Sequence, residues 1–390
     1  MHAMGLDRCY NIADLRELAR RRLPAPLFHY IDGGADDERS LARNTSAFDD
    51  YELLPRVLQN VAEIDLSTSI LGTRIDLPFF LAPTGMSRLF HRDKELGVAR
   101  AAGAYRTLYS LSTMGTTSIE DIAALGTGPC MFQVYIFRDR GLTRELVERC
   151  RAAKYQALCL TVDTPLAGNR ERDRVHGMSM PPRLTWASWW SFVTHPAWAA
   201  GMLLHPDFKL ANVAHRVDAI GAGTIGLIDY VNQQFDRSVT WSDAAWLAEQ
   251  WGGPFVIKGL LSAQDARQAA DIGATAVMLS NHGGRQLDGA APPVNCVRPI
   301  RDAVGDALEI IVDGGIRRGT HVLKALALGA DACSIGRSYL YGLAAGGQRG
   351  VEHALHLLRE ELRRDMALLG CQRLDQLSSE LLLERGNSPR

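Results

Sequence analysis

Eight short apolar runs recur along the chain from about Leu77 onward: PFFLAP, TLYSLS, CMFQVY, ALCLTVD, PFVIKG, AVMLSNH, EIIVDGG and ACSIGR. Most are continuous rather than alternating, the pattern of strands buried on both faces in a parallel sheet. Between the runs the spacing turns helical. SAQDARQAADIG opens on Ser262 with an acidic residue three positions later, and TTSIEDIAAL places Thr117 and Glu120 at the same interval, both resembling a capping box. GTHVLKALALGA spaces its apolar residues helically and stops at Gly329, a predicted C-terminal cap. Eight βα units predict an α/β fold, a (β/α)8 barrel, with a doubly wound open sheet as the alternative.

Two segments break this rhythm within what reads as one domain over 1–390. Residues 1 to about 75 look helical and then extended, and are expected to cap the barrel. An excursion from about Leu166 to Val239, after the fourth run, is long for a connection in a compact domain. It contains RLTWASWWSFVTHPAWAAGMLLHP, where Trp186, Trp189, Trp190 and Trp198 fall close together. Such a density suggests a surface lying on a membrane or a partner through about 184–204. A helical insertion whose tryptophans pack on the barrel or on a sister subunit is the alternative.

Polar groups collect at the C-terminal ends of the runs. In order these are Pro83-Thr84-Gly85, Ser112-Thr113, Gln133 and Tyr135, Thr161 and Asp163, Lys258, Ser280 and His282, Asp313-Gly314-Gly315, and Gly336-Arg337. Any one is ordinary, since polar residues end most strands. Eight in succession mark the face on which barrel enzymes build their sites.

Composition narrows the class further. A net charge of -1 lacks the basic excess that attracts nucleic acid. Seven dispersed cysteines, with no CxxC pair and no metal-ligand spacing, fit a reducing compartment and no metal site. The N-terminus lacks the apolar core of a signal peptide, and no stretch supplies the roughly 18 apolar residues of a membrane span. The expected location is cytoplasmic, with peripheral contact on the inner face of the cell membrane if the tryptophans serve that purpose.

DGGIRRG and SIGRS put glycines and arginines at the seventh and eighth strand ends, a frequent phosphate position in barrels. Gly315, Arg317, Gly336 and Arg337 are candidates for holding a phosphorylated cofactor or substrate. No Walker loop appears, and GxGxxG is absent after the first run, so a dinucleotide is not indicated. Lys258 ends an apolar run, where an amine could form a Schiff base, contact phosphate or stabilise a negative ring, or else snorkel to solvent. His282 is the strongest candidate base, because imidazole titrates near neutrality. Asp163 could pair with it. Arg285, three residues on, and Arg170, in GNRERD, could clamp a carboxylate.

With those residues assembled, the sequence resembles the FMN-dependent L-2-hydroxy acid-oxidising family of glycolate and lactate oxidases, L-lactate and mandelate dehydrogenases, and flavocytochrome b2. SNHGGRQLDG and VDGGIRRGTHVLKALALGA carry the likeness, with APTGM, FQVY and LTVDTP upstream, and it runs from LPAPLFHYIDGGADDE to GLAAGGQRGVEHAL. No haem domain precedes the barrel, which argues against the cytochrome fusion. The resemblance implies His282 as base and Asp163 as stabiliser of its protonated form. It implies Arg285, Arg170 and Tyr30 on the substrate carboxylate, and Tyr135 on the substrate hydroxyl. Pro83, Thr84, Gly85, Ser112, Gln133, Thr161 and Ser280 would lie along the flavin, and Lys258 would stabilise its reduced, anionic edge. Asp313, Gly314, Gly315, Arg317, Gly336 and Arg337 would hold the ribityl phosphate. Met114, where relatives vary in size, would border the substrate side chain.

The subtype follows less directly. Glycine at 85, where oxidases of the family often carry alanine, and the Trp-rich insertion both favour a membrane dehydrogenase that passes electrons to a quinone. An oxidase using oxygen and releasing peroxide is the alternative. A flavin-binding protein without turnover ranks last, because the base, its partner and both arginines are all present. Type 2 isopentenyl diphosphate isomerases share the barrel, but would not need a carboxylate clamp. A homotetramer is expected from the family.

Overall fold

The computed structural model describes residues 5–178, 185–204, 208–214 and 234–385. The eight apolar runs form eight parallel strands that close on themselves: β1 (Phe79–Thr84), β2 (Tyr109–Ser112), β3 (Cys130–Val134), β4 (Ala157–Thr161), β5 (Phe255–Leu260), β6 (Ala276–Leu279), β7 (Glu309–Asp313) and β8 (Ala332–Ile335). Closure comes from β8 pairing with β1, Ser334 opposite Phe80. The barrel is therefore correct and the open sheet is not. Continuous apolar runs suit it because outward residues such as Phe132, Leu160, Ile257 and Val312 meet the helices, while inward ones meet each other.

The inward positions explain where the chemistry sits. Side chains two apart on a strand share a face. Lower in the barrel these positions are apolar: Met131, Cys159, Val256, Met278, Ile311 and Ala332 form one closed cluster. Two residues further along the same strands stand Gln133, Thr161, Lys258, Ser280, Asp313 and Ser334, all buried. The interior thus changes from an apolar plug to a polar layer just below the C-terminal mouth.

Part of the N-terminal segment packs against the bottom of the barrel. A hairpin of two short strands, Thr68–Ile70 and Thr73–Ile75, inserts Ile70, Leu71 and Ile75 into the apolar cluster and closes the bottom. The Leu71 N–H donates to the Glu309 carboxylate (2.7 Å) at the start of β7. Helices Ile12–Arg22, Ala25–Asp32 and Arg39–Ser46 lie elsewhere, and Asp32 ties them to the rest. Its carboxylate accepts from Arg16 (2.6 and 2.7 Å), Arg172 (2.9 Å) and the Tyr341 hydroxyl (2.8 Å). Burial opposes that charge, but these donors hold the carboxyl well below the usual range.

Local signals shift in detail. Before Ile119–Ala124 the cap is Ser118, not Thr117: its hydroxyl accepts from the Asp121 N–H (3.0 Å). Ser262 caps Ala263–Asp271, but the Asp265 carboxylate takes the Ser262 hydroxyl (2.7 Å) rather than reaching back to its N–H. A full capping box stands instead at Thr240 and Asp243. Gly329 ends Gly319–Ala327 as read, with φ +107°. Of the long excursion, 179–184, 205–207 and 215–233 lie outside the described residues. Its described part includes helices Trp186–Val193 and Pro196–Leu204.

The hairpin plug gives a first test. Ile70→Ala removes a fully buried side chain and should cost about 2–5 kcal/mol in urea unfolding, while leaving the distant polar layer and its chemistry intact.

Candidate active site

The stretch SNHGGR folds as a left-handed turn. His282, Gly283 and Gly284 take φ of +57°, +66° and +73°, a conformation glycine adopts freely and histidine does not. Its reward is direction: the His282 ring turns back across the barrel mouth, where Nδ1 lies 2.9 Å from Asp163 Oδ1 at the end of β4. The Ser280 hydroxyl accepts the His282 N–H (3.0 Å) and steadies the turn. Asp163 fits because the next strand offers Gly259, φ +110°, where any Cβ would sit 2.7 Å from that of Asp163. Burial pushes the Asp163 carboxyl up, but His282 and Lys258 outweigh it and hold it below its usual range.

Below this pair lies an ion pair in the polar layer. Lys258 Nζ is 2.7 Å from Asp313 Oδ2 and donates to the Ser280 hydroxyl (2.9 Å). Ser280 and Ser334 donate to the two Asp313 oxygens (2.8 and 2.9 Å). Burial disfavours the ammonium, yet Asp313 and Asp163 outweigh it and keep Lys258 protonated. Lys258 is therefore buried and paired, not snorkelling.

Two guanidinium groups gather on Tyr30, from the helix Ala25–Asp32. Arg285 Cζ lies 4.9 Å from the ring centroid and Arg170 Cζ 5.5 Å. Arg285 is held by the Tyr30 and Gly33 carbonyls (2.6 and 3.1 Å). Arg170 opens the short helix Glu171–Val175, which Arg172 anchors to Asp32 and Glu38 (2.9 and 2.5 Å). Tyr135, beyond β3, packs edge-on to Phe235 (4.9 Å), and burial raises its hydroxyl pKa. Met114 follows β2, its carbonyl accepting from Met86 (2.9 Å), and a Cβ on Gly85 would meet it at 2.7 Å.

The comparisons now bear on this geometry. Residues 19–384 match the family described as FMN-dependent dehydrogenase. The chain belongs to that family. It is 44% identical to an L-lactate dehydrogenase of Caulobacter vibrioides, over 96% of this chain and 98% of the relative. It is 42% identical to an L-lactate oxidase of Nostoc sp., over 95% and 97%. Its fold matches a solved (S)-mandelate dehydrogenase, a monotopic membrane protein, with TM-score 0.92 and 34% identity over 97% and 100%.

An FMN-dependent dehydrogenase needs a place for its flavin, and the residues present fit one. Gln133 Nε2 and Thr161 Oγ1 are buried with no hydrogen-bond partner among the described residues, donors that the polar edge of a flavin ring would satisfy. Ser112 donates to the Gln133 carbonyl oxygen (3.0 Å), leaving the amide nitrogen as the open group. Thr84 and Tyr339 share a hydrogen bond (2.5 Å) at the end of β1, beside Pro83 and Gly85. For the phosphate, Gly314 and Gly315 take φ of +140° and +77°. Arg317 hydrogen-bonds the Ile316 carbonyl (2.8 Å) close by. Gly336 opens the helix Arg337–Leu369, whose N-terminus favours an anion. The Arg337 guanidinium itself binds the carbonyls of Ile31 (2.9 Å), Gly283 (2.8 Å) and Gly33 (2.8 Å), fastening the N-terminal helices to the 282–284 turn.

Sequence reasoning missed several residues that hold this arrangement. Asn44 and Asn281 exchange reciprocal amide hydrogen bonds (2.7 Å each), joining the helix Arg39–Ser46 to the turn. His321 stacks on Phe48 (4.5 Å), its Nδ1 3.1 Å from the Gly315 carbonyl. Asp173 lies beside Arg170. The position of Asn281 next to His282 was a signal for the first, and the i,i+3 spacing of Arg170 and Asp173 in GNRERD for the last; Phe48, distant in sequence, left none for His321.

Gly315→Ala tests the phosphate loop: its Cβ would fall 1.7 Å from the Asn44 carbonyl at a φ alanine resists, so the variant should purify with most of its FMN absorbance lost. His321 tests it by pH. Burial lowers its pKa to about 4, so its neutral ring stabilises the fold fully above about 6.5, and that contribution falls as pH drops toward 4. The melting temperature should decline over this window, and less steeply in His321→Gln.

Proposed function

We propose that the chain oxidises an L-2-hydroxy acid, lactate- or mandelate-like, to the 2-oxo acid, and passes the electrons to a quinone-type acceptor. The observation that carries this reading is the His282–Asp163 contact beside two guanidinium groups on one tyrosine ring. That set recognises a carboxylate next to a carbon whose hydroxyl is to lose its proton. The names of the lactate and mandelate relatives support the substrate class.

Arg285 and Arg170 take the substrate carboxylate, and Tyr30 supports both. Tyr135, kept protonated by burial, donates to or accepts from the substrate hydroxyl. Because Asp163 engages His282 at Nδ1, the free Nε2 is the atom left to accept a proton. Asp163 stays ionised and stabilises the imidazolium that results. FMN, when bound, would supply the two-electron acceptor for this oxidation. Lys258, held by Asp313, would offer a fixed positive charge to its reduced form.

The Trp-rich helices support contact with a membrane surface. Trp186, Trp189 and Trp190 are 91%, 57% and 70% exposed, and Leu203 and Leu204 at the end of the next helix are 80% and 75% exposed. Trp198 departs from its neighbours: its indole donates to the Leu89 carbonyl (2.8 Å) and its ring packs on Phe192. Among the described residues no helix is long and apolar enough to cross a membrane, so this reading is of peripheral attachment. A four-subunit ring belongs to the same proposal.

Anaerobic bleaching of the flavin absorbance by L-lactate, L-mandelate or glycolate tests the reaction, and the absence of bleaching by any L-2-hydroxy acid refutes it. Reoxidation by a soluble quinone analogue far faster than by air is expected. Fast reoxidation by air with peroxide release would make the enzyme an oxidase. His282→Gln should slow bleaching by about 10²–10⁴-fold with FMN still bound. Replacing Trp186, Trp189 and Trp190 together by serine should move the protein from the membrane pellet to the supernatant without slowing bleaching.

A further inference from the structure

The carboxylate clamp concentrates more positive charge than one substrate carboxylate returns. Arg170 and Arg285 share the Tyr30 ring, and burial together with Arg170 lowers the pKa of Arg285. Two desolvated cations so close repel strongly, and such a group is stable only with a counter-charge nearby. The catalytic carboxylate does not supply it, since Asp163 is engaged with His282.

Asp173 is placed to do so. It is the third residue of the short helix Glu171–Val175 and is 4% exposed. Its Oδ2 lies 3.4 Å from Arg170 Nε, yet neither carboxylate oxygen has a hydrogen-bond partner among the described residues. A buried carboxylate kept for capping or packing is normally hydrogen-bonded. One that touches a guanidinium without such bonds acts through its charge. Burial pushes the Asp173 carboxyl up, against the pull of Arg285, Arg170 and Arg172. Arg172, which pins the helix to Asp32 and Glu38, keeps Asp173 in place.

We propose that Asp173 is the resident counter-ion of the substrate-carboxylate clamp, a positioning residue that sets how tightly the clamp holds a monoanion. The proposal rests on the reading that Arg170 and Arg285 take the substrate carboxylate. With Asp173 ionised the empty clamp carries one net positive charge, and a bound monocarboxylate neutralises it. Without Asp173 the clamp carries two, and every carboxylate is held harder. The 2-oxo acid product keeps the same carboxylate as the substrate, so Asp173 also limits product retention.

The test uses FMN-loaded wild type, Asp173→Asn and Asp173→Leu, titrated with pyruvate and benzoylformate and followed through the flavin spectrum. The methyl esters serve as neutral controls. Both variants should bind the anions on the order of tenfold tighter at low salt, with ester binding unchanged and the difference shrinking as salt rises. Equal or weaker anion binding in a folded, FMN-loaded variant overturns the proposal. So does a parallel change for anion and ester, which is what a merely structural role produces. Leucine leaves no buried amide unsatisfied, so it carries the test if the asparagine variant fails to fold, and unfolding of both overturns the proposal. If neither anion binds wild type, the clamp reading itself fails and Asp173 has no clamp to balance.

Discussion

The left-handed turn at residues 282–284 is the constraint on which the rest of the site depends. A histidine at positive φ is strained, at roughly 1–3 kcal/mol. The strain persists because the surroundings fix it from every side. Ser280 takes the His282 N–H, Asp163 takes the ring, and Asn281 Oδ1 takes the Gly284 N–H (2.9 Å). The carbonyls the turn exposes are then used by the N-terminal helices and the last barrel helix: Arg337 binds Gly283, and the Ala35 N–H binds Gly284 (2.8 Å). One local conformation thereby aims the His282 ring at Asp163 and docks the N-terminal helices that bring Tyr30 over the arginines.

Charge balance is the second organising principle. Three basic side chains near the barrel mouth have a carboxylate at contact distance: Lys258 with Asp313, His282 with Asp163, Arg170 with Asp173. These pairs differ in kind. Asp313 is saturated by lysine and two serine hydroxyls, which suits a fixed scaffold. Asp163 has one oxygen on His282 and one without a partner, which suits a group that must follow a proton. Asp173 has ionic contact alone. Burial raises all three carboxyl groups; the partners outweigh it at Asp163 and Asp313, whereas at Asp173 burial prevails and the carboxyl stays above its usual range.

The unsatisfied groups are as informative as the satisfied ones. Buried polar atoms are normally paired, and the open Gln133 amide and Thr161 hydroxyl lie in the same interior layer as the Lys258–Asp313 pair. Within an FMN-dependent dehydrogenase they read as cofactor contacts. On the outer surface, three exposed tryptophans break the usual rule that large apolar groups are covered, next to a fourth, Trp198, that obeys it.

The sequence by itself determined eight βα units with a parallel sheet, because continuous apolar runs at βα intervals are buried on both faces in such a sheet. Closure into a barrel rather than an open sheet was decided by the pairing of the eighth strand with the first. The sequence also placed most of the candidate site residues at one end of the sheet, since strand ends sit on one face and local motifs such as SNHGGR keep their residues together. Thr117 against Ser118 shows the limit of local signals, where a neighbouring hydroxyl competes for the same cap. Only the tertiary structure separated Trp198 from Trp186, assigned the Arg337 guanidinium to three carbonyls, and brought Asn44 to Asn281 and Arg285 to Arg170 on the Tyr30 ring. Those relations join segments far apart in the chain, through contacts whose partners no periodicity encodes. They exist only once the barrel has closed and the cap has docked on it.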